Sequence, residues 1–296
     1  MPAKGIGISP YFKKAAAAAV TPSPLIASWY AALSVKPSAA LLTALNTLVN
    51  GMNTDGDWTE LDFLAVVAGM ETQEQALLPL KSTSGDIMLN VDLGGGGIVI
   101  DNSGATANGT DVINSKWNPN DNGSKWTLNS AFYGVYMQTQ TVNTGQIFGS
   151  YSTPDDVNFY SSQISITQAA GSVSVTIASN RPLNGGATAF GSVSKAKAGS
   201  NIPVYAGIKR TASNAGIAFI NGNSSANNTS TPLGRSATDI LLCGVNQTDS
   251  LGTDNIIACT TFIQRALLCG SGIVSQANTG ARLNTFFVSR SLNPYV

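Results

Sequence analysis

The chain has 296 residues, 16 Lys+Arg, 16 Asp+Glu and no histidine, and only 11% of its residues are charged, against roughly 25% in an average soluble domain. The missing imidazole excludes Ser-His-Asp and Cys-His nucleophilic centres, His-ligated zinc and a histidine proton shuttle. A formal net charge of zero argues against nucleic acid, which needs a basic field, and 43% apolar residues fit a chain that folds on a core.

Residues 1–24 read as an extended arm. Lys13-Lys14 ahead of Ala15 to Val20 superficially suggest a signal peptide. The apolar run is short and Thr21-Pro22-Ser23-Pro24 follows, so the segment is expected to be retained. Its apolar side chains Ile6, Ile8, Tyr11 and Phe12 are expected to lie on a neighbouring subunit. A neutral chain has little electrostatic protection against self-association, so a homo-oligomer or larger assembly is expected. No apolar run approaches the roughly 20 residues of a membrane span, and no membrane partner is expected.

Residues 25–84 form a helical lead-in. Ser38 can cap a helix whose apolar positions Leu41, Leu42, Leu45, Leu48 and Val49 recur at three- and four-residue steps, with Asn50-Gly51 as its stop. Leu61 to Ala68 is continuously apolar, and periodicity leaves helix and buried strand both open.

Residues 85–296 read as β. Gln163 to Thr167 and Ser172 to Ile177 alternate apolar with Ser or Thr, as half-buried antiparallel strands do. Further strands are expected over Ile98 to Ile100, Ala131 to Met137, Val204 to Arg210, Gly216 to Ile220, Asp239 to Cys243 and Ile256 to Leu268. Asn108-Gly109, Asn122-Gly123, Asn184-Gly185 and Asn221-Gly222 supply turns, since Asn-Gly accepts positive φ. Gln276, Leu283, Phe286 and Phe287 suit a short closing helix. The expected fold is mainly β, an antiparallel jelly roll or β-sandwich with a helical lead-in and an extended arm. Cys243, Cys259 and Cys269 are odd in number and sit in apolar strands, so they read as buried small hydrophobes. No disulfide framework, metal or cofactor is expected.

The motifs that could carry chemistry fail on spacing. Asn53 to Asp57 opens like a calcium loop, but Trp58 and Leu64 stand where glycine and the bidentate glutamate belong. Gly104 to Thr110 lacks the lysine of a phosphate loop, and Gly94 to Gly97 lacks the strand-to-helix setting of a dinucleotide fingerprint. Glycoside hydrolysis needs two converging carboxylates, yet no glutamate follows Glu74. Asp155 and Asp156, as neighbours on extended chain, would point to opposite faces. The chain is therefore expected not to be an enzyme. Sugar binding needs an aromatic platform with hydrogen-bonding side chains. Trp117, Trp126, Tyr133 and Tyr151 lie close in sequence to Asn120 and Asp121, so these are the candidate carbohydrate or interface contacts. The competing placement, and the favoured one, is that the aromatics fill the sandwich core or a subunit interface.

Four ordered segments carry a resemblance. Leu45 to Met52 with Asp55-Gly56-Asp57-Trp58-Thr59-Glu60-Leu61-Asp62 looks like a helix followed by DG-x-W-x-x-LD. Ile113 to Pro119 ends on an aromatic-Asn-Pro, Arg210 leads to the Phe219-Ile220-Asn221-Gly222 hairpin, and Leu241 to Asn246 forms a hydrophobic-G-x-N strand. Over roughly residues 40–290 the chain resembles the concanavalin A-like (laminin-G-like) jelly-roll proteins of tailed-bacteriophage virions. The resemblance implies a structural or adhesive role on a virion: capsid decoration, head fibre or tail component. Other virion subunits would be its partners and a host surface glycan a further one. It implies no fixed catalytic site, and no active-site residue is carried over.

Overall fold

A computed structural model describes residues 19–139, 143–152, 160–169, 172–181, 192–196, 203–225, 235–248 and 254–295. Ile6, Ile8, Tyr11 and Phe12 of the arm, Asp155-Asp156 and the Asn184-Gly185 turn lie outside the described residues. In chain order, a 3-10 turn (Pro24–Ile26) leads into helices α1 (Ala27–Ala32), α2 (Ala39–Thr54) and α3 (Asp57–Glu60), strand β1 (Leu61–Val66) and helix α4 (Gln73–Leu77). Strands β2 (Lys81–Ser82), β3 (Leu89–Val91), β4 (Val99–Asp101), β5 (Gly104–Asn108), β6 (Val112–Asn114), β7 (Ala131–Thr139), β8 (Asn143–Ser152), β9 (Tyr160–Ala169), β10 (Ser172–Arg181) and β11 (Ser192–Ala196) follow. The chain closes with β12 (Pro203–Ala212), β13 (Ala215–Ile220), β14 (Asn223–Ser224), β15 (Leu241–Leu242), β16 (Gly244–Thr248), β17 (Asp254–Ala258), β18 (Thr260–Gly270) and α5 (Gln276–Ser289).

The strands form two sheets. One runs β14-β13-β12-β7-β18-β1-β2, with β5 on β18 and β4 on β5. The other runs β11-β10-β9-β8-β15-β6-β3, with β16 beside β8 and β17. Pairings are antiparallel except that of β16 with β8. The sheets face each other: β10 packs on β12 and β13. One core joins Phe63, Tyr133 and Cys269 of the first sheet to Ile113 and Leu242 of the second. This is the expected mainly β sandwich. At the β13–β14 hairpin, Asn221 (φ 44) and Gly222 (φ 84) both take the positive angles that a two-residue turn of this hand requires.

Helices cover the outer face of the first sheet. Ser38 caps α2 by accepting the Leu41 N–H, and Leu41, Leu42, Leu45, Leu48 and Val49 are buried, as the three- and four-residue spacing requires. The α5 helix lies on β7 and β12. The Tyr136 ring packs 4.6 Å from Phe287 at a tilt of 54°, its hydroxyl donates to Asn284 Oδ1 at 2.8 Å, and the Tyr205 hydroxyl is 2.7 Å from Thr279 Oγ1.

Of the two readings left open for Leu61 to Ala68, strand holds over Leu61–Val66, and β1 pairs with β18 across some 200 residues (Leu64↔Leu268). The helical 25–84 segment also donates β1 and β2 to the sandwich. Several expectations are corrected. Asn50-Gly51 does not stop α2, which continues to Thr54. A Cβ on Gly51 would sit 2.7 Å from Arg282 Nε, so the glycine serves the approach of α5 rather than a helix end. Asn122-Gly123 forms a local turn between no two paired strands, and the expected strand over Ile256 to Leu268 breaks at Cys259 into β17 and β18.

Candidate functional site

Burial decides between the two placements of the aromatics at Trp117, Trp126 and Tyr133, and it puts them in the core, the favoured one. Trp117, Trp126 and Tyr133 are each 0% exposed and cannot meet a glycan. Trp117 packs 6.1 Å from Phe63 and 5.9 Å from Trp126, and its indole N–H donates to Thr83 Oγ1 at 2.9 Å. Large aromatics bury the most apolar area, and the polar atom of Trp117 finds a partner, whereas the buried Tyr133 hydroxyl has none among the described residues. Tyr133 faces the sandwich interior, and burial pushes its hydroxyl pKa far up. Tyr151 lies on β8 opposite Ser161, and its side chain is outside the described residues. Asn120 and Asp121 are exposed but belong to a turn bonded within itself and to residues 235–236: Asp121 N–H donates to Asn118 Oδ1 (2.8 Å), Asn120 Nδ2 donates to Asp121 Oδ1 (3.0 Å), and Asn120 N–H donates to the Ser236 carbonyl (3.1 Å). The structure does not bring these two together with an exposed aromatic.

The DG-x-W-x-x-LD segment is a set of joints. Asp55 accepts twice from Arg282 of α5, at 2.8 and 3.0 Å, and this hydrogen-bonded pairing holds its pKa below the usual carboxylate range. Asp57, 3% exposed, accepts the Ser275 N–H at 2.7 Å. Burial nonetheless raises its pKa, the Ser275 bond opposing. Glu60 accepts from Ser271 Oγ at 2.8 Å. Asp62, 0% exposed, receives Ser124 Oγ and the Lys125 and Trp126 amides, all within 2.9 Å. Lys81 sits 5.2 Å over the Trp58 ring, its ammonium bonded to the Trp58 carbonyl, and burial lowers its pKa.

The Gly94 to Gly97 loop shows why its glycines mimic a phosphate loop. Its amides do cradle anions, but the anions are the chain's own carboxylates. Leu93, Gly95 and Gly97 donate to Asp111 at 2.7, 3.1 and 2.8 Å, while Gly94 and Gly96 donate to Asp92 Oδ1 at 2.8 and 3.0 Å. Asn108 Nδ2 adds a bond to Asp111 at 2.7 Å. Burial alone would raise the Asp111 pKa, yet the Asn108 and amide bonds outweigh it and hold it below the ordinary aspartate value.

Two recesses open on the helix-covered side. One, of about 200 Å³, runs between α2 and α5 over Ala44, Leu48 and Phe286, with Arg282 and Arg290 along it. Both arginines are already paired, with Asp55 and Glu71. The other, of about 320 Å³, lies where α5 begins, against the outer face of β12 and β13. Its polar lining is Lys209, Thr211, Ser275 and Gln276, and Ala215, Ile217 and Ala277 complete it. The register sets Lys209 opposite Ile217. The Lys209 ammonium donates to the Val274 carbonyl at 3.0 Å, and burial lowers its pKa, with Asp57 opposing. Sequence reasoning did not find this recess, because Lys209 and Gln276 meet only through the docking of α5 on the sheet. Among the described residues no group of three or more Cys, Asp or Glu could hold a metal ion, and no helix is long and apolar enough to cross a membrane.

No protein-family profile matches the chain, and no curated protein matches it. Among solved structures it is similar to the botulinum neurotoxin serotype D binding domain, at 11% identity and TM-score 0.44, over 74% of this chain and 50% of that one. The chain thus spans half the length of that domain. It is also similar to the Ruminococcus gnavus IT-sialidase CBM40 bound to α2,3 sialyllactose, at 16% identity and TM-score 0.31, over 48% of this chain and 76% of that one. A third is domain 4 of a GH43 arabinanase from Geobacillus stearothermophilus in complex with arabinotriose, at 12% identity and TM-score 0.35, over 75% of this chain and 98% of that one.

Proposed function

We propose that the chain is a non-catalytic, lectin-like recognition module that serves as a structural component at the surface of a tailed-bacteriophage particle. One observation carries this reading: the buried acids Asp57, Asp62 and Asp111 are all spent on joining the chain to itself. Acid–base or nucleophilic catalysis needs a titratable group within reach of a substrate, and these are enclosed. With 11% charged residues, the chain offers a partner mostly hydroxyl and amide groups. Such groups suit polyhydroxylated ligands and close-packed neighbours alike. The resemblance of the Asp55 to Asp62 segment and its companions to phage jelly-roll proteins supplies the particle setting.

The test has two arms. Mass spectrometry of purified particles should find the chain at many copies, and its absence from particles overturns the structural role. A printed oligosaccharide array should show binding without release of reducing ends. Sugar release overturns the non-catalytic reading, and a blank array overturns glycan recognition while leaving a purely structural coat role.

A further inference from the structure

We infer that the recess at the start of α5 is the ligand site, and that it takes a pyranose unit of a glycan. This rests on the recognition reading above and gives it a place.

The recess combines the features a sugar ring needs. Its volume of about 320 Å³ is at the low end of small-molecule sites, near roughly 300 Å³. Sugar hydroxyls donate and accept, so a site for them must offer both in close array. Gln276 Nε2 is engaged by Ser224 Oγ at 3.1 Å, but Gln276 Oε1 is buried from solvent and has no hydrogen-bond partner among the described residues. That oxygen is closed to a water-sized group as placed, so it meets a sugar hydroxyl only when the Gln276 side chain turns into the recess, a change that relieves the cost of an unpaired buried acceptor. The Lys209 ammonium carries further donors beyond the bond to Val274. The exposed Thr211 hydroxyl can both donate and accept. Ile217 and Ala215, both half-buried, offer an aliphatic surface for the C–H face of the ring. The site is held rigidly, because β12, β13 and the start of α5 are all fixed to the core. It has no aromatic plate, so affinity for one sugar should be weak, and many copies on a particle would raise it through avidity.

The test uses the full chain on the printed oligosaccharide array, with Ala277→Trp to fill the recess and a Gln276→Ala/Thr211→Ala double variant to remove its polar groups. Ala277 and Thr211 are exposed, so folding should survive, which thermal melts check. Wild-type spots should vanish with Ala277→Trp, and the double variant should bind roughly tenfold more weakly. Spots that persist at full strength in both variants overturn the site while leaving glycan recognition intact. Should Ala277→Trp fail to fold, the double variant alone decides. A blank array for the wild type overturns site and recognition together.

Discussion

Two buried aspartates of this chain should behave in opposite ways when altered. Asp111 is surrounded by donors, and its pKa is held below the ordinary aspartate value by Asn108 and three backbone amides against the opposing effect of burial. A carboxyl with a lowered folded pKa adds stability above its unfolded pKa of about 3.9 and loses it as pH falls through the folded value. Asp111→Ala should strip the 93–97 loop of its anchor and lower the melting midpoint by roughly 5 °C at neutral pH, with the gap to wild type narrowing in acid. Asp57 is the converse. It makes one bond, to the Ser275 amide, while its Oδ2 is buried with no partner among the described residues, and burial raises its pKa. Its charged form opposes folding above the folded pKa, and that penalty fades as pH falls through it toward the unfolded value of about 3.9. Asp57→Asn keeps a carbonyl for Ser275 and removes the buried charge. It should be neutral or stabilising by up to about 1 kcal/mol at pH 7, with the gain gone near pH 4. Thermal melts of both variants at the two pH values check this, and a large loss from Asp57→Asn at neutral pH contradicts it.

At the scale of elements, the first sheet depends on a glycine that local sequence does not mark. Gly207 of β12 pairs with Gly134 of β7 and Phe219 of β13. A Cβ there would fall 2.1 Å from the Tyr133 carbonyl oxygen and 2.5 Å from the Phe219 ring. The space is taken by neighbouring aromatics, with Phe132 and Phe219 stacked 5.7 Å apart and Tyr205 5.3 Å from Phe219. Backbone cannot yield as a flexible side chain can, so Gly207→Ala should cost at least about 3 kcal/mol and cut the soluble yield. A denaturant melt within 1 kcal/mol of wild type, on the scale of tolerated core swaps, would refute it. Gly51, whose contact is the movable end of Arg282, should tolerate alanine far better. The same contrast explains what the sequence made legible. Period-2 alternation and Asn221-Gly222 announce the strands and the hairpin, because both are local. The α2 helix and α5 announce themselves by apolar spacing. The membership of β1 in the sheet does not, since buried on both faces it lacks alternation and its partner Leu268 lies far along the chain. The candidate site was invisible for the same reason. Trp117 and Trp126 could be placed as platform or as core because composition shows an aromatic but not which side of a sheet it enters, whereas Lys209 and Gln276 carry no shared local signal.

For the whole molecule, the absence of histidine becomes a statement about pH. Carboxylates titrate near 4 and lysines near 10.4, and only the terminal amine, near 7.7, and the thiols, near 8.5, ordinarily fall between. Burial raises the Cys243 and Cys269 thiols out of that range. Sixteen acids and sixteen bases balance formally at pH 7. The carboxylates with lowered pKa, Asp55, Glu74 and Asp111, keep their stabilising charge throughout and lose it only in acid. Lys81 and Lys209, lowered by burial, carry a penalty on their charged forms that is relieved only as pH rises toward their folded values. Stability should thus be flat between about pH 5.5 and 8 and fall below about pH 4. Self-association should be equally flat and should respond little to salt, because a surface without net charge has little long-range repulsion to screen. Melts and light scattering across that interval, each at low and high salt, test both at once. A transition in either observable between about pH 6 and 7 cannot come from imidazole, the side chain that normally titrates there, and would point to a buried carboxyl such as Asp57, whose pKa burial raises. In the proposed particle, such a flat response would keep subunit contacts and the proposed recess unchanged through shifts of pH that rearrange a histidine-bearing interface.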